Sequence, residues 1–216
     1  GALITPQLAR CRTCNTYLHG TALEGVLVES LLPPQLRASP GTGLIFLFII
    51  FLFAFQTLVA GPQNIFGFSG YSLRLLGSIF GPSIVMGEWW RFVTSMFAHG
   101  GLIHVGFNVY ALVIVGPVIE DLFDRKKMWF MTLLSGVGSM VVSYVWSVEI
   151  RELLFSQSVG ASGAISGLIG AGITGGTRAG PGAAQFVSLL KRWALFMLVF
   201  GLVLSNIDNA AHIGGF

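Results

Sequence analysis

LIFLFIIFLFAFQTLVA, residues Leu44 to Ala60, runs 17 positions without a charge. That is close to the ~20 residues needed to cross ~30 Å of hydrocarbon, and Gly61-Pro62 stops it. The whole chain agrees with this stretch. Of its 216 residues 54% are hydrophobic, 18 are Phe, only 10% are charged and the mean hydropathy is +0.79, whereas soluble domains carry roughly 25% charged residues. The sequence therefore describes an integral membrane protein, with room for one domain of five or six helices and no second folded domain. A net charge of +3 and a pI near 9.1 suit a membrane protein with basic loops and give no sign of nucleic acid as a partner. The lipid bilayer is the partner the composition implies.

Outward from Leu44, residues 1–43 are mixed and polar, and Pro33, Pro34 and Pro40 are expected to break any helix there. They form an N-terminal extramembrane arm, with residues 44–216 as the transmembrane domain. Residues 63–98 mix Phe66, Phe68, Tyr71, Trp89 and Trp90 with glycines and a few charges, a composition suited to the membrane interface. A second span is expected from about Leu102 to Ile119, ending at Glu120-Asp121, and a third from about Met128 to Trp146. After a polar loop with Glu149, Arg151 and Glu152, a fourth runs from Ser162 to about Gly176. Arg178, Lys191 and Arg192 flank the next connection, a fifth span covers about Trp193 to Leu204, and a sixth begins near Asp208. Arg125, Lys126 and Lys127 follow the second span, and Arg178, Lys191 and Arg192 follow the fourth. Both clusters fall on one face together with Arg10, Arg12 and Arg37, which by the positive-inside rule is cytosolic, matrix or stromal. The heads of the fourth and sixth helices then share the opposite side of the membrane.

Those heads carry the chemistry. Ser162 stands in Gly160-Ala161-Ser162-Gly163 and His212 follows 50 residues later. A serine hydroxyl needs a base to take its proton, and histidine, with an unperturbed pKa of ~6.5, is the usual one. In the second span His104 and Asn108 are four apart, so one helical face presents two hydrogen-bond donors. Polar side chains within a membrane normally face a bundle interior or a wet cavity, and tying helix to helix is the plain alternative role. A metal reading through His99 and His104 is weaker, because no carboxylate or third histidine lies near. Gly163 and Gly167 make a Gly-x-x-x-Gly spacing that lets another backbone approach closely. Cys11 and Cys14 form one Cys-x-x-Cys with His19 nearby; a zinc ribbon needs a second pair, so free thiols or a local disulfide is the simpler reading. No metal and no cofactor is expected.

Together these residues resemble the rhomboid family of intramembrane serine proteases. The resemblance runs from Trp90-Arg91 through His99, His104 and Asn108 to Glu120, then through Gly160 to Gly163, and ends at Ala211-His212-Ile213-Gly214-Gly215, about 125 of 216 residues. It implies an all-α bundle of six transmembrane helices with an interfacial loop between helices 1 and 2. It also implies a Ser162–His212 dyad acting on transmembrane protein substrates. His104, Asn108 and the Ser162 backbone N–H would form the oxyanion site, and His99, Arg91, Glu120, Gly160 and Gly163 would give structural support.

The sequence departs from the family pattern in three places. Ser166 stands where many active members have an aromatic residue, and Asp124 stands where glycine is usual. The chain also ends at Phe216, so the sixth helix is expected to be cut short. These departures keep an alternative in view, a catalytically silent rhomboid-like scaffold or subunit of a larger membrane complex. A multi-pass location in an organellar membrane, mitochondrial inner or plastid, is compatible with the Ile207 to His212 run. A channel or transporter is disfavoured, since neither an inverted repeat nor a ring of intramembrane charges is present.

Overall fold

The computed structural model describes residue 32, residues 36–204 and residues 207–216. Cys11, Cys14 and His19 lie outside the described residues, and so does any reading of that thiol pair. The first helix, α1, spans Pro40–Ala60, four residues more than the uncharged run. Pro40 does not break a helix but begins one. In the first turn the N–H groups have no intrahelical acceptor, so a residue without one loses nothing and its fixed φ suits the start. Gly61, with φ +90°, ends the helix.

The connection to the second long helix is a chain of short elements: a tight turn at Pro62–Asn64, α2 (Gly70–Leu75), β1 (Ile79–Phe80), α3 (Gly81–Val85) and α4 (Arg91–Thr94). Phe66, Tyr71, Leu75, Val85, Met86, Trp89 and Trp90 point outward from it, the side-chain chemistry of an interfacial segment. β1 pairs antiparallel with β2 (Gln157–Ser158), placing Ile79 opposite Ser158. Two-residue strands are too short to leave a sequence period, and the hydropathy reading does not contain them.

The bundle continues with α5 (Leu102–Phe123), α6 (Arg125–Tyr144, with a last wide turn at Val145–Ile150), α7 (Ser162–Ala179), α8 (Ala184–Val203) and α9 (Asn209–Gly215). The six bundle helices expected from the sequence are thus α1, α5, α6, α7, α8 and the described part of α9. Four of the helical segments, Pro40–Ala60, Leu102–Phe123, Arg125–Ile150 and Pro181–Val203, are long and apolar enough to cross a membrane. Phe51, Leu58, Phe130, Leu134, Leu195 and Leu202 are exposed on them, while Thr42, Gln56, Asn108, Thr132, Ser139 and Ser143 are buried. Apolar outside and polar inside is the arrangement a bilayer selects.

The largest boundary difference from expectation is at α8, and the α5–α6 junction has a special backbone. α8 begins at Ala184, nine residues before Trp193, so Lys191 and Arg192 lie within it and not in a connection. The stretch Ala184 to Leu190 holds no Gly or Pro and follows a turn opened by Pro181; the two cations are exposed and can carry their charge outward on long stems. At the α5–α6 junction, Asp124 takes φ +69°, a conformation that favours glycine, and caps α6 by accepting the Lys127 N–H at 3.0 Å. The Lys127 amide and then its side chain hold the Asp124 carboxyl below the ordinary carboxylate range.

α7 is the central helix, packed against α5, α6, α8 and α9. Its Leu168 and Ile169 join Leu112, Val115 and Ile119 of α5 and Leu190 of α8 in the core. Its other side is nearly bare. A Cβ on Gly163 would collide with the Ser139 side chain of α6, one on Gly167 with Ser135 of α6 and, at 2.7 Å, with the Gly215 carbonyl, and one on Gly215 with the Gly163 carbonyl. Backbones of α7 and α9 therefore touch with no side chain between them.

Glu120 ties α1 to α5. Its Oε1 accepts the Gly41 N–H at 2.8 Å, and its Oε2 accepts the Thr42 N–H at 2.8 Å and the Thr42 hydroxyl at 2.9 Å. A carboxylate on the free N–H groups of a helix start also complements the helix dipole. Glu120→Ala is expected to lower stability by about 1.5–3 kcal/mol, the range for hydrogen bonds to a charged group. Neighbouring Asp121→Ala, an exposed position, should stay within about 0.5 kcal/mol. Thermal unfolding in mild detergent checks the pair, and equal effects would refute the cap.

Candidate active site

The serine is placed by a local break in the chain. Gly160, with φ +121°, donates its N–H to the Ser95 carbonyl at 2.9 Å and turns the backbone out of β2. Ala161 is the N-cap, so Ser162 is the first residue of α7. Its position leaves the backbone N–H groups of the first turn without intrahelical acceptors and at the positive end of the helix dipole. From α9, which Asp208 caps, His212 reaches across: its Nε2 lies 3.0 Å from Ser162 Oγ. His212 is buried, and its Nδ1 has no hydrogen-bond partner among the described residues. The hydroxyl donates to Nε2 when the imidazole is neutral with its proton on Nδ1.

His104 sits on the other side of the turn. Its Nδ1 accepts the Gly100 N–H at 3.1 Å, which in a neutral ring leaves the proton on Nε2. That Nε2 faces the Gly160 turn so closely that a Cβ on Gly160 would lie 2.7 Å from it. Asn108, one helical turn on and buried, donates one Nδ2 hydrogen to the His104 carbonyl at 2.9 Å. Its amide keeps a second N–H, and its Oδ1 is buried without a partner among the described residues.

His99 is buried and packs its ring edge-on to His104, with centroids 5.2 Å apart. Its Nδ1 lies 3.0 Å from the Phe97 carbonyl. The side-chain amide of Gln56, from α1, holds the His99 backbone at both ends: Nε2 donates to the carbonyl and Oε1 accepts the N–H at 3.1 Å. Arg91 is buried in the interfacial segment, where Nη1 donates to the carbonyls of Arg74 at 2.8 Å and Ser78 at 3.0 Å and Nε pairs with Glu88 at 2.5 Å. Ser166, at the place where many members of the resembled family carry an aromatic residue, turns its hydroxyl back onto the Ser162 carbonyl at 2.9 Å. Glu120 lies with the start of α1, away from the serine.

Sequence reasoning missed Gln56, Ser143, Ser158 and the full use of Asp208. Gln56 had a signal: it and Thr57 are the polar residues of an otherwise apolar span, and a buried amide at membrane depth must find partners. The serines had none. No group of three or more His, Cys, Asp or Glu able to hold a metal occurs among the described residues.

Comparison with known proteins follows the same residues. The Rhomboid domain family model matches residues 86–216. The chain is 32% identical over 179 residues to RHOMBOID-like protein 6, mitochondrial, of Arabidopsis thaliana, covering 76% of this chain and 52% of that one. It is 33% identical over 136 residues to Rhomboid protease GluP of Bacillus subtilis, covering 61% of this chain and 25% of that protein. With Rhomboid protease AarA of Providencia stuartii it shares 28% identity over 192 residues, 77% of this chain and 65% of the relative. The chain thus spans less than two thirds of the length of each of these relatives. Its apolar helices, its bundle and the matched domain place it, as a multi-pass integral membrane protein, in the rhomboid family.

Proposed function

We propose that this chain is an intramembrane serine endopeptidase that cleaves transmembrane protein substrates through Ser162 and His212. The observation that carries the reading is the 3.0 Å contact between Ser162 Oγ and His212 Nε2, made by residues 50 apart on two helices. It lies within the ~2.6–3.2 Å that a base needs to take a hydroxyl proton. In this reading Ser162 Oγ attacks the carbonyl carbon of the scissile peptide as His212 Nε2 accepts its proton. The tetrahedral oxyanion is held by the Ser162 N–H, His104 Nε2–H and the free N–H of Asn108. His212 then passes the proton to the leaving amine, and water, activated by the same base, hydrolyses the acyl ester. His99, held by Gln56, supports His104; Arg91, Glu120, Gly160 and Gly163 hold the surrounding backbone. The family consists generally of intramembrane serine proteases, which supports the reaction class. The mitochondrial relative supports an organellar membrane. A substrate helix must unwind near the membrane surface for a peptide carbonyl to reach the serine, where water is also available.

The full-length protein in lipid vesicles should be labelled by a fluorophosphonate and should cleave a transmembrane reporter, and Ser162→Ala and His212→Ala should abolish both. His104→Ala is expected to lower kcat by roughly 10²–10³, as loss of one oxyanion donor does. Equal labelling of wild type and Ser162→Ala would reject the nucleophile. An unlabelled wild type that purifies with a stoichiometric membrane partner would favour the scaffold reading.

The Gly160 turn yields a second test. Gly160→Ala must accommodate a Cβ 2.7 Å from His104 Nε2 at φ +121°, so a loss of about 1–3 kcal/mol in stability is expected, together with slower fluorophosphonate labelling. Gly106→Ala, a helical site with open space around the new methyl, should instead be neutral or stabilise by up to about 1 kcal/mol. Thermal unfolding and labelling rates of the two variants separate these outcomes.

A further inference from the structure

Asp208 makes more hydrogen bonds than a helix cap requires. Its Oδ1 accepts the Ala211 N–H at 2.9 Å and its backbone carbonyl accepts the His212 N–H at 3.2 Å, which completes the first turn of α9. Its Oδ2 accepts two hydroxyls from distant parts of the chain, Ser143 of α6 and Ser158 of β2, the latter at 2.6 Å. Both serines are buried. Capping uses one side-chain oxygen; the second oxygen joins α9 to two other elements. The places of those partners matter. Ser158 stands four residues before Ser162, and Asp208 stands four residues before His212. The Ser158–Asp208 bond therefore links the same two chain segments as the Ser162–His212 bond, a short distance behind it, and Ser143 fixes the link to α6.

We propose that Asp208, through Ser158 and Ser143, is a positioning residue that sets the Ser162–His212 distance. It does not act as the third member of a triad. Both carboxylate oxygens accept hydrogen bonds, from Ala211, Ser143 and Ser158, and His212 Nδ1 has no partner among the described residues. The carboxylate works on the imidazole by fixing where α9 starts relative to the strand that leads into Ser162. The carboxylate's partners are one backbone N–H and two hydroxyls, all of which can donate to a carboxylate. Asparagine also caps helices well, and a serine hydroxyl can accept as well as donate, so an amide at 208 can rebuild the clamp while alanine cannot.

The kinetic consequence rests on the protease reading above, but the geometry can be read without it. In full-length protein with 15N-labelled histidine in lipid nanodiscs, Ser162→Ala identifies the His212 signal and its position when the Nε2 bond is lost. Asp208→Ala should move that signal in the same sense, and Asp208→Asn should restore it. Fluorophosphonate labelling and reporter kcat should fall about 10–100-fold in Asp208→Ala with KM changed by less than about twofold, the pattern of a misplaced group and not of lost binding. Should Asp208→Ala not fold, Ser158→Ala removes one bond alone and should lower kcat about 3–10-fold with the same signal displaced. A folded Asp208→Ala or Ser158→Ala with the wild-type His212 signal and unchanged labelling would overturn the proposal, even if its melting temperature fell. A wild type that is never labelled would remove the protease reading while the histidine spectrum still decides the clamp.

Discussion

The contact on which the site depends is the bare seam between α7 and α9. Helices normally pack with axes 8–10 Å apart, the distance set by the side chains between them. Here Gly163, Gly167 and Gly215 leave nothing between the two backbones, and the carbonyls of Gly163 and Gly215 occupy the space a Cβ would need. Two short side chains on adjoining helices can then meet at 3.0 Å. The six glycines of α7, together with its serines, threonines and Arg178, give it a modest hydropathy, and it is not among the helical segments apolar enough to cross a membrane on composition. It needs no lipid-facing surface, because α5, α6, α8 and α9 surround it. The hydroxyls of Ser166, Thr174 and Thr177 fold back on the helix's own carbonyls, while that of Ser162 meets His212.

Around that seam, polar groups act as the fasteners that the hydrophobic effect cannot supply within a bilayer, where lipid tails are as apolar as leucine. α1 shows the principle at both ends. Near its start the Glu120 carboxylate takes two free N–H groups and a hydroxyl. Near its end Gln56 grips both backbone groups of His99. Each bond is costly to leave unmade in this medium, so each fixes a register that apolar packing alone would leave free to slide. Gln56 in particular connects α1 to His99, whose ring packs on His104, and thereby to the wall of the candidate site.

The parts legible in the sequence were those with a local signature. The long apolar runs marked α1, α5, α6 and most of α8, and the glycine spacing on α7 pointed to close backbone contact. The Ser162 and His212 motifs stood out by resemblance to a family. What escaped was set by partners far along the chain. The true start of α1 at Pro40 depends on first-turn chemistry that hydropathy does not weigh, and the start of α8 was hidden because Lys191-Arg192 reads as a boundary when it is a snorkelling pair within a helix. The bonds of Asp208 to Ser143 and Ser158 span 65 and 50 residues. Nothing in the immediate sequence of a serine reveals such a partner.

Among the described residues His212 Nδ1 has no hydrogen-bond partner, which changes what holds the imidazole. In a serine triad a carboxylate bonds that nitrogen and so fixes both tautomer and ring orientation. Here neither a carboxylate nor, with Ser166 in place of an aromatic side chain, a stacking ring does so. What remains is the position of α9, pressed against Gly163 on one side and anchored by Asp208 at its first turn. The first turn of α9, joined through Asp208 to Ser143 and Ser158 and in direct backbone contact with α7, has little freedom to rotate. The imidazole inherits that rigidity through a single side chain. Under the proposed protease reading, the orientation that a serine triad takes from a third polar residue bonded to the imidazole comes here from helix placement.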